Sequence, residues 1–321
     1  MSTFAVTGAT GFLGGALVRA LLAGDADVVA IGRNRQKLAA LAEMGARTLA
    51  HDLSKGPPAD GSPVHAAVHC AALSSAWGRP QDFASANIAG TRAALEYAVD
   101  AGAKRFVHIS TPSVYFRFCD QRLVPEDHPL PTPVNMYAQT KRIAEELVLS
   151  ETRLDAVILR PRGLYGAGDT ALLPRLLKAA RQGPLPLIND GAAETDLTHV
   201  DDAVAAILAA LRAPGNLPQK VYNVSSGEAI RVRQIADLAA REAGCTIRWR
   251  PMPRRLLIAA ARGLEAAARL HPRRPEPRLT AYSAGLFAYT QTLDITAARH
   301  ALGWRPQIAF DEGLRRTFGK T

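Results

Sequence analysis

A tyrosine and a lysine, Tyr137 and Lys141, stand four residues apart at the start of a segment with helical periodicity. Positions i and i+4 lie on one face of a helix, so the ammonium group of Lys141 can reach the neighbourhood of the Tyr137 phenol. A phenol with a pKa of about 10 is a poor acid or base near neutral pH, and lowering that pKa by about three units requires roughly 4 kcal/mol. Nearby positive charges, from Lys141 and from a bound cationic group, supply such stabilisation, and the exclusion of water strengthens their attraction to the phenolate. The pair therefore indicates proton transfer to or from a substrate oxygen.

Three hydroxyl side chains, Ser110, Thr111 and Ser113, follow the apolar run at 105–109. Such a run predicts a buried strand. In an open α/β sheet, ligands bind at the carboxyl ends of the strands, which is where these hydroxyls stand. A hydroxyl in that place donates a hydrogen bond to the substrate oxygen on which Tyr137 would act.

Three glycines, Gly8, Gly11 and Gly14, recur at every third position between a short apolar run at 4–6 and a helical pattern that continues past Ala16. They stand where a first strand turns into a first helix. In that context Gly8 permits the tight turn, Gly11 lets the backbone approach a pyrophosphate, and Gly14 lets the helix pack closely on the strand. The free N–H groups at the helix N-terminus then hold the phosphates. The turn predicts a bound dinucleotide.

The end of the second predicted strand, 28–31, indicates which dinucleotide binds. An acidic residue at this end would accept hydrogen bonds from the adenosine ribose, but the chain continues instead as Gly32-Arg33-Asn34-Arg35. A guanidinium suits a 2′-phosphate through charge-assisted contacts. Arg33 therefore favours NADP over NAD, while NAD stays open as the alternative and both arginines could be solvated loop charges.

Composition describes one ordinary enzyme-sized chain. Its 321 residues are 48% hydrophobic and 21% charged, enough for a large α/β unit with an appended lobe. The start has neither the charged nor the apolar region of a signal peptide, so we expect a cytoplasmic protein. Three cysteines without CxxC spacing argue against disulfides and against a metal site. The net charge of +10 is spread along the chain without interleaved aromatic residues, so we expect no nucleic-acid partner.

The segment 254–270 is helical in pattern and carries arginines among alanines and leucines. Three interpretations stay open. It is a packed amphipathic helix with solvated arginines, a hydrophobic lid over the substrate, or, least favoured, an interfacial helix on a membrane surface. Its charges exclude a bilayer span.

Alternating apolar strands and helical stretches predict an α/β fold, a Rossmann doubly wound parallel sheet. A smaller substrate lobe, interleaved with the core in sequence, completes it. We assign 1–163 mainly to the nucleotide-binding core, with 199–226 returning to it. The ranges 164–198 and 227–321 are assigned mainly to the substrate lobe.

Nearly the whole chain resembles the extended short-chain dehydrogenase/reductases, a branch of the NAD-dependent epimerase/dehydratase superfamily. The matching motifs stand in family order: Thr7 to Gly14, Asp52-Leu53, Cys70-Ala71-Ala72-Leu73, Asn87 with Gly90-Thr91, Ser110-Thr111, Tyr137, Lys141, Arg160 to Gly166, His199 to Asp202, and Leu302 to Pro306.

The resemblance implies catalytic roles for Thr111, Tyr137 and Lys141, with Ser110 and Ser113 as alternative catalytic hydroxyls. Many relatives pair through the helix that carries the tyrosine, which leaves a homodimer open. The resemblance and the glycine turn together predict these cofactor-binding residues: Gly8, Thr10, Gly11, Phe12, Leu13, Gly14, Arg33, Asp52, Leu53, Cys70, Ala71, Ala72, Ser110, Tyr137, Lys141, Pro161, Gly163 and Leu164.

Within the family, the chain is most similar to the 3β-hydroxysteroid dehydrogenase-like and 3-ketoacid reductase subgroup. Its segment 279–294 resembles a late motif of that subgroup, and Thr195 stands where sugar-processing members carry an arginine. Phe116 stands where the family carries a glycine, and we expect its ring to narrow the entrance of the substrate pocket or to make that entrance more apolar. The resemblance implies interconversion of a secondary alcohol and a ketone on a hydrophobic small molecule. A nucleotide-sugar epimerase or dehydratase with retained NAD is the alternative, followed by a non-catalytic cofactor sensor.

Overall fold

A computed structural model describes residues 2–272 and 274–319, and a parallel sheet lies at its centre. The strands are β1 (Thr3–Thr7), β2 (Asp27–Gly32), β3 (Arg47–Ala50), β4 (Ala66–His69), β5 (Arg105–Ile109), β6 (Gln121–Val124), β7 (Asp155–Pro161), β8 (Leu164–Tyr165), β9 (Leu185–Leu187), β10 (Glu194–Thr195), β11 (Thr198–His199), β12 (Val221–Val224), β13 (Ile230–Arg231), β14 (Trp249–Pro251) and β15 (Gln291–Leu293).

Helices surround this sheet and build the rest of the molecule. They are α1 (Phe12–Ala23), α2 (Arg35–Glu43), α3 (Pro80–Phe83), α4 (Gly90–Asp100), α5 (Met136–Ser150), α6 (Leu173–Gln182), α7 (Val200–Arg212), α8 (Val232–Glu242), α9 (Arg254–Leu270), α10 (Ala281–Ala288), α11 (Thr296–Ala301) and α12 (Phe310–Thr317).

The central sheet has the strand order β12-β7-β5-β4-β1-β2-β3, and each neighbouring pair runs parallel. Its strands are apolar because both faces are covered. Leu17 of α1 and Ile207 of α7 belong to one apolar cluster, whereas Ala94 of α4 and Val148 of α5 belong to the other. The predicted doubly wound fold is confirmed. Strand order reverses between β1 and β4, and a crevice at such a switch point binds ligands.

A second lobe stands at the carboxyl edge of the sheet. Four short strands form a sheet in the order β13-β10-β15-β6, while β8 pairs with β11 and β9 with β14. Helices α6, α8 and α12 share an apolar cluster, and α9 and α10 share another. The lobe interleaves with the core in sequence: β6 precedes β7 in the chain but pairs with β15, and β12 returns to the central sheet.

Helix α9 covers the segment for which three interpretations were open. Leu257, Ile258 and Ala261 are buried against the lobe, as a packed amphipathic helix requires. Its arginines are not simply solvated, because three of them lie over aromatic rings: Arg254 over Tyr289, Arg262 over Phe118 and Arg269 over Trp77. Among the described residues, no helix combines the length and the hydropathy needed to cross a membrane.

Candidate active site

The three glycines form the turn between β1 and α1. Gly8 has a φ of +68°, and a Cβ on it would lie 2.6 Å from the backbone nitrogen of Ala71. A Cβ on Gly14 would lie 2.3 Å from the carbonyl oxygen of Gly8, so only glycine allows this approach of helix to turn. Gly11 caps α1 without a side chain, which leaves the first N–H groups of the helix, including those of Phe12 and Leu13, open to a phosphate.

The residues predicted to select the adenosine end lie beyond β2 and β3. Arg33 is exposed after β2, and Asp52 follows β3 and caps a short turn that includes buried Leu53. Partial burial works against ionisation of Asp52, but hydrogen bonds from Ser54 and the charge of Arg33 outweigh it and lower the pKa of the carboxyl.

Lys37, which the sequence reasoning missed, joins this group. Its ammonium donates to the carbonyl oxygen of Thr10 at 3.3 Å, so a cation of α2 reaches the glycine turn. The available signal was its place in the first turn of α2, four residues after Arg33. Two cations and the glycine turn therefore share one end of the sheet.

The segment after β4 lines the switch point. The backbone N–H of Cys70 donates to Thr7 at 3.2 Å, which holds Cys70, Ala71 and Ala72 against the glycine turn. Burial raises the pKa of the Cys70 thiol to about 12, so it stays protonated. Asn87, in a π-helical turn between α3 and α4, accepts from the N–H of Leu73 at 2.7 Å and donates to Thr140 at 3.0 Å. It thereby ties this segment to α5.

Lys141 is 2% exposed, and its ammonium is held by two partners. It donates to the carbonyl oxygen of Ile109 at 2.6 Å and to Nε2 of His108 at 2.9 Å. An ammonium has three N–H bonds, so these two partners leave one N–H bond of Lys141 available. Burial lowers the pKa of Lys141 to about 8, against the opposing charge of Glu145.

His108 and His69 form a neutral stacked pair behind Lys141, with ring centroids 5.3 Å apart. Burial lowers the pKa of His69 to about 3 and that of His108 well below its ordinary value. His69 bonds to Thr7 at 2.7 Å and to Thr91 at 3.0 Å. Sequence reasoning gave these histidines no role, and no local pattern would have shown it, because the strand pairing of β4 with β5 brings them together.

Tyr137 and Thr111 are brought together as predicted by their motifs. Asn135 caps α5 by accepting from the N–H of Ala138 at 2.8 Å, which fixes the first turn that carries Tyr137. The hydroxyl of Thr111 lies close enough to the Tyr137 phenol to favour its ionised form, which works against the effect of burial. Burial raises the pKa of Tyr137 to about 12, so the expected lowering of that pKa is not produced by the protein groups. The phenol is neutral at physiological pH.

The other two candidate hydroxyls take different positions. Ser113 accepts from Thr111 Oγ1 at 3.0 Å, and its hydroxyl bonds to the phenol of Tyr282 at 2.6 Å. The hydroxyl of Ser110 is buried without a partner among the described residues. A buried unpaired hydroxyl is costly, which points to a ligand that supplies its partner.

The end of β7 carries the last predicted cofactor residues. The end of β7 lies beside the end of β5, and this stretch carries Pro161, Gly163 and Leu164. Gly163 has a φ of +49°, and a Cβ on it would lie 2.4 Å from Leu197. Arg162 is buried between them and donates to the hydroxyl of Thr195 at 3.0 Å.

The two later family signatures contact each other away from the site. Asp202 accepts from the backbone N–H groups of Gln307 and Ile308 at 2.8 and 3.1 Å. The indole N–H of Trp304 donates to the carbonyl oxygen of Asp202 at 3.1 Å. These motifs fasten the C-terminal segment to α7.

The position of Phe116 differs from the expected one at the entrance of the substrate pocket. Its side chain is 1% exposed and packs edge-on against Phe118 and Tyr282. A Cβ on Gly285 would lie 2.6 Å from its ring. Phe116 is therefore a packing residue beneath α10, and it acts on the site through that helix.

The parts together define a class of protein. The glycine turn and the unpaired hydroxyl of Ser110 fit a dinucleotide, and Tyr137 with Thr111 stands at the adjoining strand end for proton transfer. Such a site belongs to nicotinamide-dependent oxidoreductases of the Rossmann type.

Comparison with known proteins defines the family. The model of the NAD dependent epimerase/dehydratase family matches residues 4–225. The chain belongs to this family and is an enzyme of the extended short-chain dehydrogenase/reductase type.

Two curated relatives match over nearly their whole length. A 2-alkyl-3-oxoalkanoate reductase of Stenotrophomonas maltophilia is 34% identical over 97% of this chain and 97% of its own. A 4-hydroxy-2-methyl-3-oxo-4-farnesyl-3,4-dihydroquinoline-1-oxide ketoreductase of Stigmatella aurantiaca is 34% identical over 98% and 95%. The fold is that of a UDP-glucuronic acid 4-epimerase from Bacillus cereus in complex with NAD, with a TM-score of 0.75, 24% identity, and coverage of 99% of this chain and 96% of that one.

Proposed function

We propose that the protein reduces a ketone to a secondary alcohol on a hydrophobic 3-oxo acid or related compound, with NADPH as the reductant. The observation that carries this proposal is the cluster at the carboxyl end of β5, where the Thr111 hydroxyl acts on the Tyr137 phenol and the buried ammonium of Lys141 is held by Ile109. When bound, the nicotinamide supplies the hydride. The reverse reaction oxidises the alcohol.

The protein groups have separate tasks in this reaction. Thr111 and Tyr137 hydrogen-bond the substrate oxygen, where negative charge develops. Tyr137 is protonated at neutral pH because burial raises the pKa of its phenol, so it serves as the proton donor. Lys141 has two of its three N–H bonds held by His108 and Ile109, so its third N–H bond would be available to hold a hydroxyl group of the bound cofactor.

Two features of the structure and the names of two relatives support a ketone substrate over a nucleotide sugar. Thr195 stands where sugar-processing relatives carry an arginine, and its hydroxyl accepts from Arg162. The lobe beside the hydroxyl groups has an apolar cluster that includes Leu257, Ile258 and Phe118. Both curated relatives described above are named as reductases of oxo compounds.

NADP is the proposed cofactor because Arg33 and Lys37 lie at the adenosine end of the site. Guanidinium and ammonium groups both bind phosphate oxygens. Arg33→Ala and Lys37→Ala are each expected to weaken NADPH binding about tenfold, since a charged hydrogen bond contributes about 1.5–3 kcal/mol. NADH, which lacks the 2′-phosphate, serves as the control ligand and is expected to keep its affinity. Equal losses for both cofactors would contradict the assignment.

The test of function follows NADPH absorbance with purified protein, offered hydrophobic 3-oxo compounds and, separately, nucleotide sugars. We expect stoichiometric oxidation of NADPH with a ketone. Tyr137→Phe is expected to lower kcat by about 10²–10⁴ with NADPH affinity retained. Tyr222→Phe is the matched control, because that phenol bonds to the backbone of Gln219 in the core.

The other outcomes identify the alternatives. A sugar that changes on chromatography without net NADPH consumption would show that the hydride is returned, as in an epimerase or dehydratase. NADPH binding without turnover of either substrate class would show a cofactor sensor.

A further inference from the structure

Tyr282 brings a phenol from the second lobe to the hydroxyl groups of the core. It is the second residue of α10, and its oxygen lies 2.6 Å from Ser113 Oγ. Ser113 Oγ accepts from Thr111 Oγ1 at 3.0 Å, and Thr111 is the hydroxyl that acts on the Tyr137 phenol. The Tyr282 oxygen is therefore within two hydrogen-bond lengths of Thr111.

The position of Tyr282 is fixed by packing on two sides. Phe116 lies edge-on to its ring, with centroids 5.1 Å apart, and fills the space that Gly285 leaves one turn further along α10. On the other side, Glu265 of α9 accepts from the N–H of Ala281 at 2.8 Å. The phenol is thus held at the site by residues of both the core and the lobe, while its side chain stays half-buried.

The reduction of a ketone uses only part of this hydroxyl group set. Tyr137 and Thr111 are sufficient to bond the carbonyl oxygen. Ser113 and Tyr282 bond to each other, which uses one of their two O–H donors and leaves the other for a second acceptor. In a 3-oxo acid, one carbon separates the carbonyl carbon from the carboxyl carbon, so the two oxygen sites lie within one or two hydrogen-bond lengths. Hydroxyl donors bind carboxylates by short, charge-assisted bonds.

We propose that Tyr282, together with Ser113, forms a carboxylate subsite that selects 3-oxo and 3-hydroxy acids over ketones and alcohols without the acid group. This inference rests on the proposed function and names its substrate class. It makes Tyr282 a substrate-binding residue, and it gives Phe116 and Gly285 the task of positioning that residue.

The test compares two alcohols that differ by the carboxylate, 3-hydroxydecanoate and 2-nonanol, both oxidised with saturating NADP⁺. For Tyr282→Phe, we expect the ratio of kcat/KM for the acid to that for 2-nonanol to fall about 10–100-fold, mainly through KM of the acid, because a hydrogen bond to a charged group is lost. Tyr289→Phe removes a hydroxyl just after α10, where the ring packs on Phe118, and is expected to leave the ratio unchanged.

Two results would overturn the subsite. An unchanged ratio in Tyr282→Phe would show that the phenol does not read the carboxylate, and so would equal losses for both alcohols, which indicate a purely structural role. If the wild-type protein oxidises neither alcohol, the proposed function fails, and the subsite is judged by calorimetry with decanoate. A tenfold or greater loss of decanoate affinity in Tyr282→Phe, by the same hydrogen-bond argument, supports it, whereas equal or absent binding refutes it.

Discussion

The buried ion pair between Glu145 of α5 and Arg160 of β7 offers a sharp test of how the site is supported. Both side chains are only 4% exposed. Nε and Nη2 of Arg160 donate to the two carboxylate oxygens at 2.8 and 2.5 Å, and Nη1 donates to the phenol of Tyr115. The guanidinium carbon lies 4.6 Å from the centre of the Tyr115 ring. Glu145 is thus the carboxylate in direct contact with Arg160, while the charge of Glu126 acts on it from further away.

Glu145→Gln keeps the shape of the side chain and removes its charge. The guanidinium is then left in the interior without a carboxylate in direct contact, and its Nη2 or Nε faces an amide NH₂ group. Breaking a buried pair in this way costs about 3–5 kcal/mol. We expect that loss in the free energy of unfolding. Because the charge of Glu145 also raises the pKa of Lys141, the pKa of Lys141 is expected to fall further below about 8.

Urea titrations of the variant and the wild type measure the loss. Glu146→Gln is the matched control, since the neighbouring carboxylate pairs with Arg142 at 3.3 Å on the surface and is expected to contribute about 0.5 kcal/mol or less. The double variant Glu145→Leu/Arg160→Met, which leaves no charge unpaired, is expected to recover most of the stability. A loss in Glu145→Gln within about 1 kcal/mol of the control would refute the reasoning.

Three further predictions follow from contacts in the site. Gly14→Ala would place a Cβ 2.3 Å from the backbone of Gly8, so we expect the free energy of unfolding to fall by about 1–3 kcal/mol. Gly263→Ala lies in open space on α9 and is expected to raise that free energy by roughly 0.5–1 kcal/mol. Urea titrations that show equal effects for the two variants would contradict this prediction. Because burial lowers the pKa of Lys141 to about 8, kcat/KM is expected to fall as pH rises through that value. Lys141→Arg is expected to remove this fall, because an arginine stays charged. If kcat/KM still falls near pH 8 in the variant, another group causes the fall. Because burial lowers the pKa of His69 to about 3, the unfolded chain binds a proton below about pH 6.5 that the folded chain does not, and the free energy of unfolding therefore falls as pH decreases from about 6.5 to about 3. His69→Gln is expected to lose less of this free energy between about pH 7 and about pH 4 than the wild type. Equal losses in the two proteins would exclude His69 as the cause.

Much of the fold was predictable because its signals are local. The glycine turn stands at a strand-to-helix junction, and its spacing alone requires close backbone approach, which Gly8 and Gly14 show. Tyr137 and Lys141 share a face of α5 because the helix period places them there. The interiors of β2 and β7 are continuous apolar runs, 28–31 and 156–159, as expected of parallel strands covered on both faces.

The rest depends on contacts between distant parts of the chain. Tyr282 meets Ser113 across 169 positions, and the sequence gives no spacing rule for such a pair. The ring of Phe116 was expected at the substrate mouth because its neighbours in sequence are site residues. Gly285 reverses that expectation, since it opens space for the ring beneath α10. The pKa of Tyr137 also depends on the fold: burial raises it and outweighs the opposing effect of the Thr111 hydroxyl.

Helix α5 shows how stability and chemistry depend on one another in this protein. Tyr137, Lys141 and Glu145 follow at intervals of four residues, so they lie along one face and point toward the same side of the central sheet. Tyr137 carries the phenol that we propose as the proton donor, and Lys141 has two of its three N–H bonds held by β5. Glu145 fastens the same face to Arg160 of β7. A rotation of α5 that loosened the Glu145–Arg160 pair would therefore move the phenol and the ammonium together. We infer that the cost of burying this ion pair is retained because it fixes the angle at which α5 presents its chemistry.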